Sequence, residues 1–268
     1  MPVLFFVICA FLLGLCFGSF ANVVIYRLPK KVSIVMPPSA CPACGKRLGA
    51  FELIPLLGWL FLKGKCRGCK VRISARYPAV ELLCGGLFAS MTWYSFVDEL
   101  PTLTALPLMI FAFILLVISF IDWDTQEIPD GLVMIGAVAG VLWVAGGHVF
   151  PELLPYSIMW QDALLGVAAG AAPLLFFDRL TLLILKKDGF GYGDVKLMAM
   201  VGLFLGWQMM LMAFLFSFIS GAIFAVYLII SGKAKRGAYM PFGPFLCAGT
   251  ISAFWFGSNV LEWYLGLL

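Results

Sequence analysis

Two groups of residues in this chain have the types and spacing for chemistry: four paired cysteines, and two acids placed at the edges of apolar runs. Cys41-Pro-Ala-Cys44 and Cys66-Arg-Gly-Cys69 are C-x-x-C knuckles separated by residues 45–65, just beyond the usual gap of about 15 to 20 residues in a four-cysteine zinc site. Thiolates at the ends of two tight turns can surround a tetrahedral Zn²⁺, with Gly45 and Gly68 expected to relieve crowding beside the ligands. Four thiolates leave such a metal no open position. Its expected role is structural, holding a segment of about 50 residues that is too small for a core of its own.

The first acid of interest is Asp194, in Gly189-Phe-Gly-Tyr-Gly-Asp-Val-Lys196. It stands between a glycine-rich turn and a new apolar run, where an ionisable group is costly. Gly189, Gly191 and Gly193 are expected to permit positive φ and close approach of another segment, with Lys196 completing the motif. A flexible loop would also fit, so the motif needs a partner. Asp122 is the candidate: it ends an apolar run and opens the acidic loop Asp122-Trp-Asp-Thr-Gln-Glu-Ile-Pro-Asp130. Taken alone, that loop reads as a solvated acidic turn.

These residues must be positioned by membrane helices. Of 268 residues, 63% are hydrophobic and 12% charged, against about 25% charged in ordinary soluble domains. Apolar runs cover about 3–24, 78–97, 103–121, 131–149, 160–185, 195–230 and 242–266, with no alternating pattern of a barrel. The first run has no preceding basic residue and no clear cleavage site, so it is expected to be a retained helix. The run 195–230 would extend about 54 Å as one helix, far beyond a hydrocarbon core of about 30 Å. A break is expected near Gly206-Trp207.

Charge sets the orientation. Most of the 18 Lys and Arg residues fall between Arg27 and Tyr77, which places that segment in the cytoplasm and the amino terminus outside. Lys186 and Lys187 before the long run, and Lys233, Lys235 and Arg236 after it, belong on the same side, so the run must cross twice. The loops at Asp98-Glu99 and His148 to Asp162 contain no Lys or Arg, as outside loops should. The fold class is an all-α polytopic membrane protein of about eight transmembrane helices, with a cytoplasmic four-cysteine zinc segment between helices 1 and 2. The half 195–206 is short for a span and is expected to be tilted or partly re-entrant. Cytoplasmic cysteines argue against stable disulfides, and no βαβ pattern suggests a redox motif. The same parity puts Asp122 and Asp194 at the cytoplasmic ends of two helices, where a bundle could bring their carboxylates together.

Other residues are weaker candidates. Glu81 is read as structural, within reach of Arg72 or Arg76. Asp178 and Arg179 are expected to find partners on other helices. The apolar stretch 51–62 is too short to span and is expected at the interface or against the bundle. Cys9, Cys16, Cys84 and Cys247 read as packing residues. The single histidine, His148, falls on the outer side, which removes Ser-His-Asp chemistry from the cytoplasmic face. The formal charge of +4 is unevenly placed and reports orientation, so no nucleic acid partner is expected.

Taken together, these features resemble the bacterial type IV prepilin peptidases, the leader peptidase and N-methyltransferase family of G-x-G-D membrane aspartic proteases. The likeness rests on Gly18-Ser-Phe-Ala-Asn-Val-Val-Ile-Tyr-Arg-Leu-Pro29, both C-x-x-C pairs, Arg76-Tyr-Pro-Ala-Val-Glu-Leu-Leu83, Asp122 to Asp130 and Gly189 to Lys196, in the family's order. One departure is Glu52-Leu-Ile-Pro55, where members often have Glu-Asn-Ile-Pro, in the part linked to methylation. The resemblance implies a catalytic pair at Asp122 and Asp194, and excludes Asp124 and Asp130 from that role. It implies removal of a short basic leader from type IV prepilins and pseudopilins at the cytoplasmic face of the bacterial inner membrane. It also implies methylation of the new amino terminus with S-adenosylmethionine, although no Gly-rich cofactor fingerprint is visible and the cofactor-binding residues stay unassigned. Further partners would be the lipid bilayer and the pilus or type II secretion assembly machinery. The domains would be 1–26, a first transmembrane helix; 27–77, the zinc-binding segment; and 78–268, the aspartic protease bundle. An ion-coupled transporter, or an assembly scaffold with a structural zinc segment, is the alternative, in which the acids line an ion path or only support the fold.

Overall fold

The computed structural model describes residues 2–97, 104–152, 154, 158–186, 191–232 and 240–267. The expectations placed on Asp98-Glu99, Lys187, Gly189, Lys233, Lys235 and Arg236 lie outside them. Among the described residues the regular structure is helical: α1 Pro2–Arg27, a 3₁₀ turn Ala50–Leu53, α2 Leu57–Phe61, α3 Arg76–Val97, α4 Ala105–Thr125, α5 Asp130–Val149, α6 Trp160–Leu185, α7 Tyr192–Ile230 and α8 Gly243–Leu265. Seven of these helices are long and apolar enough to cross a membrane, all but α2. The protein is a multi-pass membrane protein.

The expected division of the long apolar run occurs inside α7. Gly206 takes φ 70° and ψ 178° there, a conformation essentially confined to glycine. It leaves 192–205 and 207–230 as separate helical segments, the first about 21 Å long by rise per residue. Counting both halves gives the eight expected apolar segments.

The chain forms two compact units, Met1–Val117 and Ile118–Leu268. In the first, α1 lies against α3, and the contact depends on small residues. A Cβ at Gly14 would lie 2.7 Å from the Cys84 carbonyl oxygen, and one at Gly18 would lie 2.5 Å from the Glu81 Cα. Gly14 and Gly18 are one helical turn apart, a G-x-x-x-G face that lets two backbones approach where the surrounding lipid gives no hydrophobic drive to associate. The same device recurs twice in the second unit. Gly136 and Gly140 of α5 face Met200 and Leu203 of α7, while Gly166 and Gly170 of α6 face the backbone at Gly202 and Met198 of α7. α7 is thus packed on by two glycine-faced helices, and α8 meets it where Gly249 lies against Ser217.

The segment between α1 and α3 is held by polar contacts as well as by its cysteines. Glu81, buried in α3, accepts a hydrogen bond from the Leu56 main-chain N–H at 2.7 Å. The Trp59 indole N–H donates to the Ile73 carbonyl at 3.1 Å. Glu81 therefore has the structural role expected of it, with the Leu56 backbone as its partner. Phe51 and Phe61 of this segment are 81% and 80% exposed.

Candidate active site

The acidic loop is shorter than expected. α4 continues through Asp122 to Thr125, and Asp130 is already the first residue of α5. Only 126–129 remain as the connection. Gln126 takes φ 57° and donates its N–H to the Asp122 carbonyl at 2.9 Å, a left-handed residue of the kind that closes many helices. Pro129, extended at φ −67°, is the N-cap of α5. Asp122 thus stands on the last turn of a rigid helix, which fixes its carboxylate better than a loop would.

Asp194 lies on the first turn of α7. Its Oδ2 accepts a hydrogen bond from the Gly191 main-chain N–H at 3.2 Å, so the acid caps its own helix, where the exposed N–H groups favour a negative charge. The glycines around it act differently from the expectation. Gly191 has φ −72° and ψ 144°, and Gly193 is an ordinary helical residue, so neither is needed for positive φ. Gly193 is needed for proximity: a Cβ there would lie 3.0 Å from the Ile128 Cβ. Its absence lets the start of α7 lie against the 126–129 connection.

Asp122 and Asp194 are buried, at 5% and 6% exposure, yet both line one cavity of about 390 Å³. Ile128, Pro129 and Gly193 form part of its wall, Glu127 and Asp130 add acids, and Phe242 closes it from the start of α8. Lys196 donates to Asp130 Oδ1 at 2.8 Å, an exposed ion pair joining α7 to α5 at the cavity's edge. Its charge is therefore engaged by Asp130. Arg179 donates to the Tyr192 hydroxyl at 2.8 Å, which ties α6 to the first residue of α7 and gives Arg179 the interhelix partner expected of it. Phe242 and Gly243 were not found from the sequence. The Gly243 main-chain N–H donates to Asp122 Oδ2 at 2.9 Å across 121 positions of chain. The only signal was the stretch Met240-Pro-Phe-Gly-Pro244 before the last apolar run.

The four cysteines form a second centre. Their sulfurs all lie within 4.8 Å of one another, with Cys41 Sγ to Cys69 Sγ at 3.8 Å and Cys44 Sγ to Cys66 Sγ at 3.9 Å. Tetrahedral thiolates at about 2.3 Å from zinc stand about 3.8 Å apart, so the donor set and its spacing fit a metal. The knuckles repeat one another. Cys41 N–H donates to the Lys46 carbonyl and Gly45 N–H to the Cys41 carbonyl, while Cys66 N–H donates to Val71 and Lys70 N–H to Cys66. Gly45 at φ 69° and Lys70 at φ 60° occupy equivalent turn positions. Gly45 therefore supplies conformation, since nothing lies within 4 Å of a Cβ built there; a Cβ at Gly68 would press on Lys46 Cδ at 3.1 Å and only touch Cys44 Sγ at 3.5 Å, so Gly68 makes room for a lysine stem beside the ligands. The main-chain N–H groups of Cys69 and Gly68 hold the Cys66 thiol down at about 6, while at Cys69 the Val71 N–H is outweighed by burial and the neighbouring sulfurs, which push the thiol up to about 11, so the sulfurs titrate as a set.

Residues 12–95 match the family described as "Bacterial Peptidase A24 N-terminal domain", and residues 109–226 match the "Type IV leader peptidase family". The chain belongs to the type IV leader peptidase family. Relatives of this family named "Prepilin leader peptidase/N-methyltransferase" align along nearly its whole length. That of Aeromonas salmonicida is 37% identical over 100% of this chain and 96% of its own. That of Pseudomonas aeruginosa is 36% identical over 97% and 93%, and that of Bacillus subtilis 33% identical over 95% and 96%. No solved structure matches the chain. Asp122, Asp194, the cysteine cluster and the glycine-rich start of α7 fall within the matched ranges.

Proposed function

We propose that this protein is a prepilin leader peptidase and N-methyltransferase whose proteolytic centre is the pair Asp122 and Asp194. The observation that carries the reading is two buried carboxylates, from different helix ends, at the wall of a single open cavity. With one carboxylate ionised and the other protonated, the first takes a proton from water as the oxygen attacks the scissile carbonyl, and the second gives its proton to the carbonyl oxygen. The tetrahedral intermediate then collapses, and a carboxyl proton passes to the departing amine. The titration of such a pair belongs to both residues together.

The substrate is a type IV prepilin or pseudopilin, cut at the cytoplasmic face of the inner membrane between a short basic leader and an apolar helix. Glu127 at the cavity wall suits a cationic leader, while Asp130 is already paired with Lys196. We assign Cys41, Cys44, Cys66 and Cys69 to a structural Zn²⁺, which would organise residues 27–77 between the first helix and the protease bundle of 78–268. Four thiolates would complete its coordination and leave the proteolytic step to the aspartates. Methylation of the new amino terminus would use S-adenosylmethionine. Among the described residues no strand precedes a helix to form a glycine-rich nucleotide cradle. Pilus or type II secretion machinery is the expected destination of the product.

The test is to incubate the purified protein in proteoliposomes with a prepilin precursor and S-adenosylmethionine and to read the product by mass spectrometry. The expected product lacks the leader and carries one methyl group on its new amino terminus. An uncut precursor across a range of pilin-like substrates would overturn the reading.

A further inference from the structure

The family match containing both acids ends at residue 226. The structure nevertheless brings a later element to them: the first residue of α8, Gly243, whose N–H is bonded to Asp122 Oδ2. We propose that Gly243 is a positioning residue for proteolysis, holding the Asp122 carboxylate by its main-chain N–H in a space that only glycine leaves. This rests on the reading of Asp122 as half of the catalytic pair.

The start of α8 isolates that donor. The first N–H groups of any helix lack partners within the helix. In α8 the N–H groups of Phe245 and Leu246 both turn back to the Phe242 carbonyl, at 3.0 and 3.1 Å, and Pro244 has no N–H to offer. Gly243 N–H remains, and it points at Asp122. A bond from a main-chain N–H to a carboxylate is charge-assisted, and the helix N-terminus favours the negative charge. Oδ2 is thereby engaged, leaving Oδ1 to meet water or the substrate carbonyl.

The second observation is steric. A Cβ on Gly243 would lie 2.6 Å from Oδ2, 3.0 Å from Cγ and 3.2 Å from Cβ of Asp122. All three nearest atoms belong to the same side chain. α8 is poorly placed to retreat, because the Phe242 ring packs on Phe218 of α7 at 5.6 Å and the Phe245 ring on Phe224 of α7 at 5.3 Å between centroids. A methyl group at this position therefore displaces the carboxylate.

The experiment compares the wild type, Gly243→Ala, Asp122→Asn and Gly86→Ala in proteoliposomes; a Cβ at Gly86 would meet nothing within 4 Å. Gly243→Ala is expected to lower kcat for cleavage about 100-fold, the scale of a roughly 1 Å misplacement. KM, metal content and methylation of an already cleaved pilin should stay near wild type, and Gly86→Ala should cut normally. Cleavage by Gly243→Ala at close to the wild-type rate, with Asp122→Asn inactive, would overturn the positioning role alone. Normal cleavage by Asp122→Asn would remove the dyad reading and this inference with it. If Gly243→Ala does not fold, the variant Asp122→Ala/Gly243→Ala decides the matter, since Asp122→Ala removes the two nearest clashing atoms. It should fold and melt with Asp122→Ala alone, whereas a double variant that also fails to fold, or melts well below Asp122→Ala, would contradict the proposal.

Discussion

At the residue scale, Asp122 and Asp194 are each buried with one oxygen held by a main-chain N–H, as Glu81 is, but these two carboxylates also line one cavity. Lys196 shows the contrast. It belongs to the same glycine-rich motif, yet its ammonium is bonded to Asp130, with the two side chains 49% and 69% exposed. Exposed ion pairs contribute little, so Lys196→Ala should change stability by less than about 1 kcal/mol. The cleavage rate should also stay within a few-fold of wild type. Purified Lys196→Ala that is stable but inactive would show that the lysine touches the reaction itself. The acids and the cysteine spacing were legible in the sequence because ionisable groups beside apolar runs are rare and paired cysteines follow metal geometry. Gly243 was not, because its role lies in a missing side chain and a main-chain donor, neither of which has a pattern until α8 is placed beside α4.

At the element scale, glycine has two different uses. At Gly206 it breaks a helix, and at Gly14, Gly18, Gly136, Gly140, Gly166 and Gly170 it brings helices together. The break was legible from length, since the apolar run exceeded what a bilayer can hold in one helix. The glycine-faced contacts were not, because nothing in a single helix says which neighbour it meets. Gly206→Ala has room for its methyl group, with Asp162 Cβ at 3.7 Å, and so tests the backbone alone. It should cost about 1–3 kcal/mol, read as a lower Tm in detergent; an unchanged Tm would mean that the helix can run straight. The end of α4 was misplaced in the sequence reading for a related reason. The acids from Asp122 to Asp130 suggested a loop, but the helix persists to Thr125 until Gln126 turns left-handed. The cysteine segment makes a separate prediction. Cys66→Ser should lose bound metal and open residues 27–77 to proteolysis while the helical circular dichroism of the membrane spans persists. Undiminished metal content would contradict four-cysteine ligation.

At the scale of the whole molecule, a helical membrane protein places costly groups only where they are used. Hydropathy supplied the spans, charge parity supplied a common side for the two acids, and the order of motifs supplied the family. The packing that joins α4, α7 and α8 around one cavity came from the structure, because it depends on contacts between segments distant in the chain, as far as the 121 positions between Asp122 and Gly243. The measurement that tests this account most directly is single-turnover cleavage of a prepilin by the wild type, Asp122→Asn and Asp194→Asn in the same lipid. Asparagine keeps the size of the side chain and removes its acid. The account predicts that each substitution lowers cleavage by at least about 1,000-fold, with metal content and helical structure retained. Normal cutting by either variant would contradict the dyad.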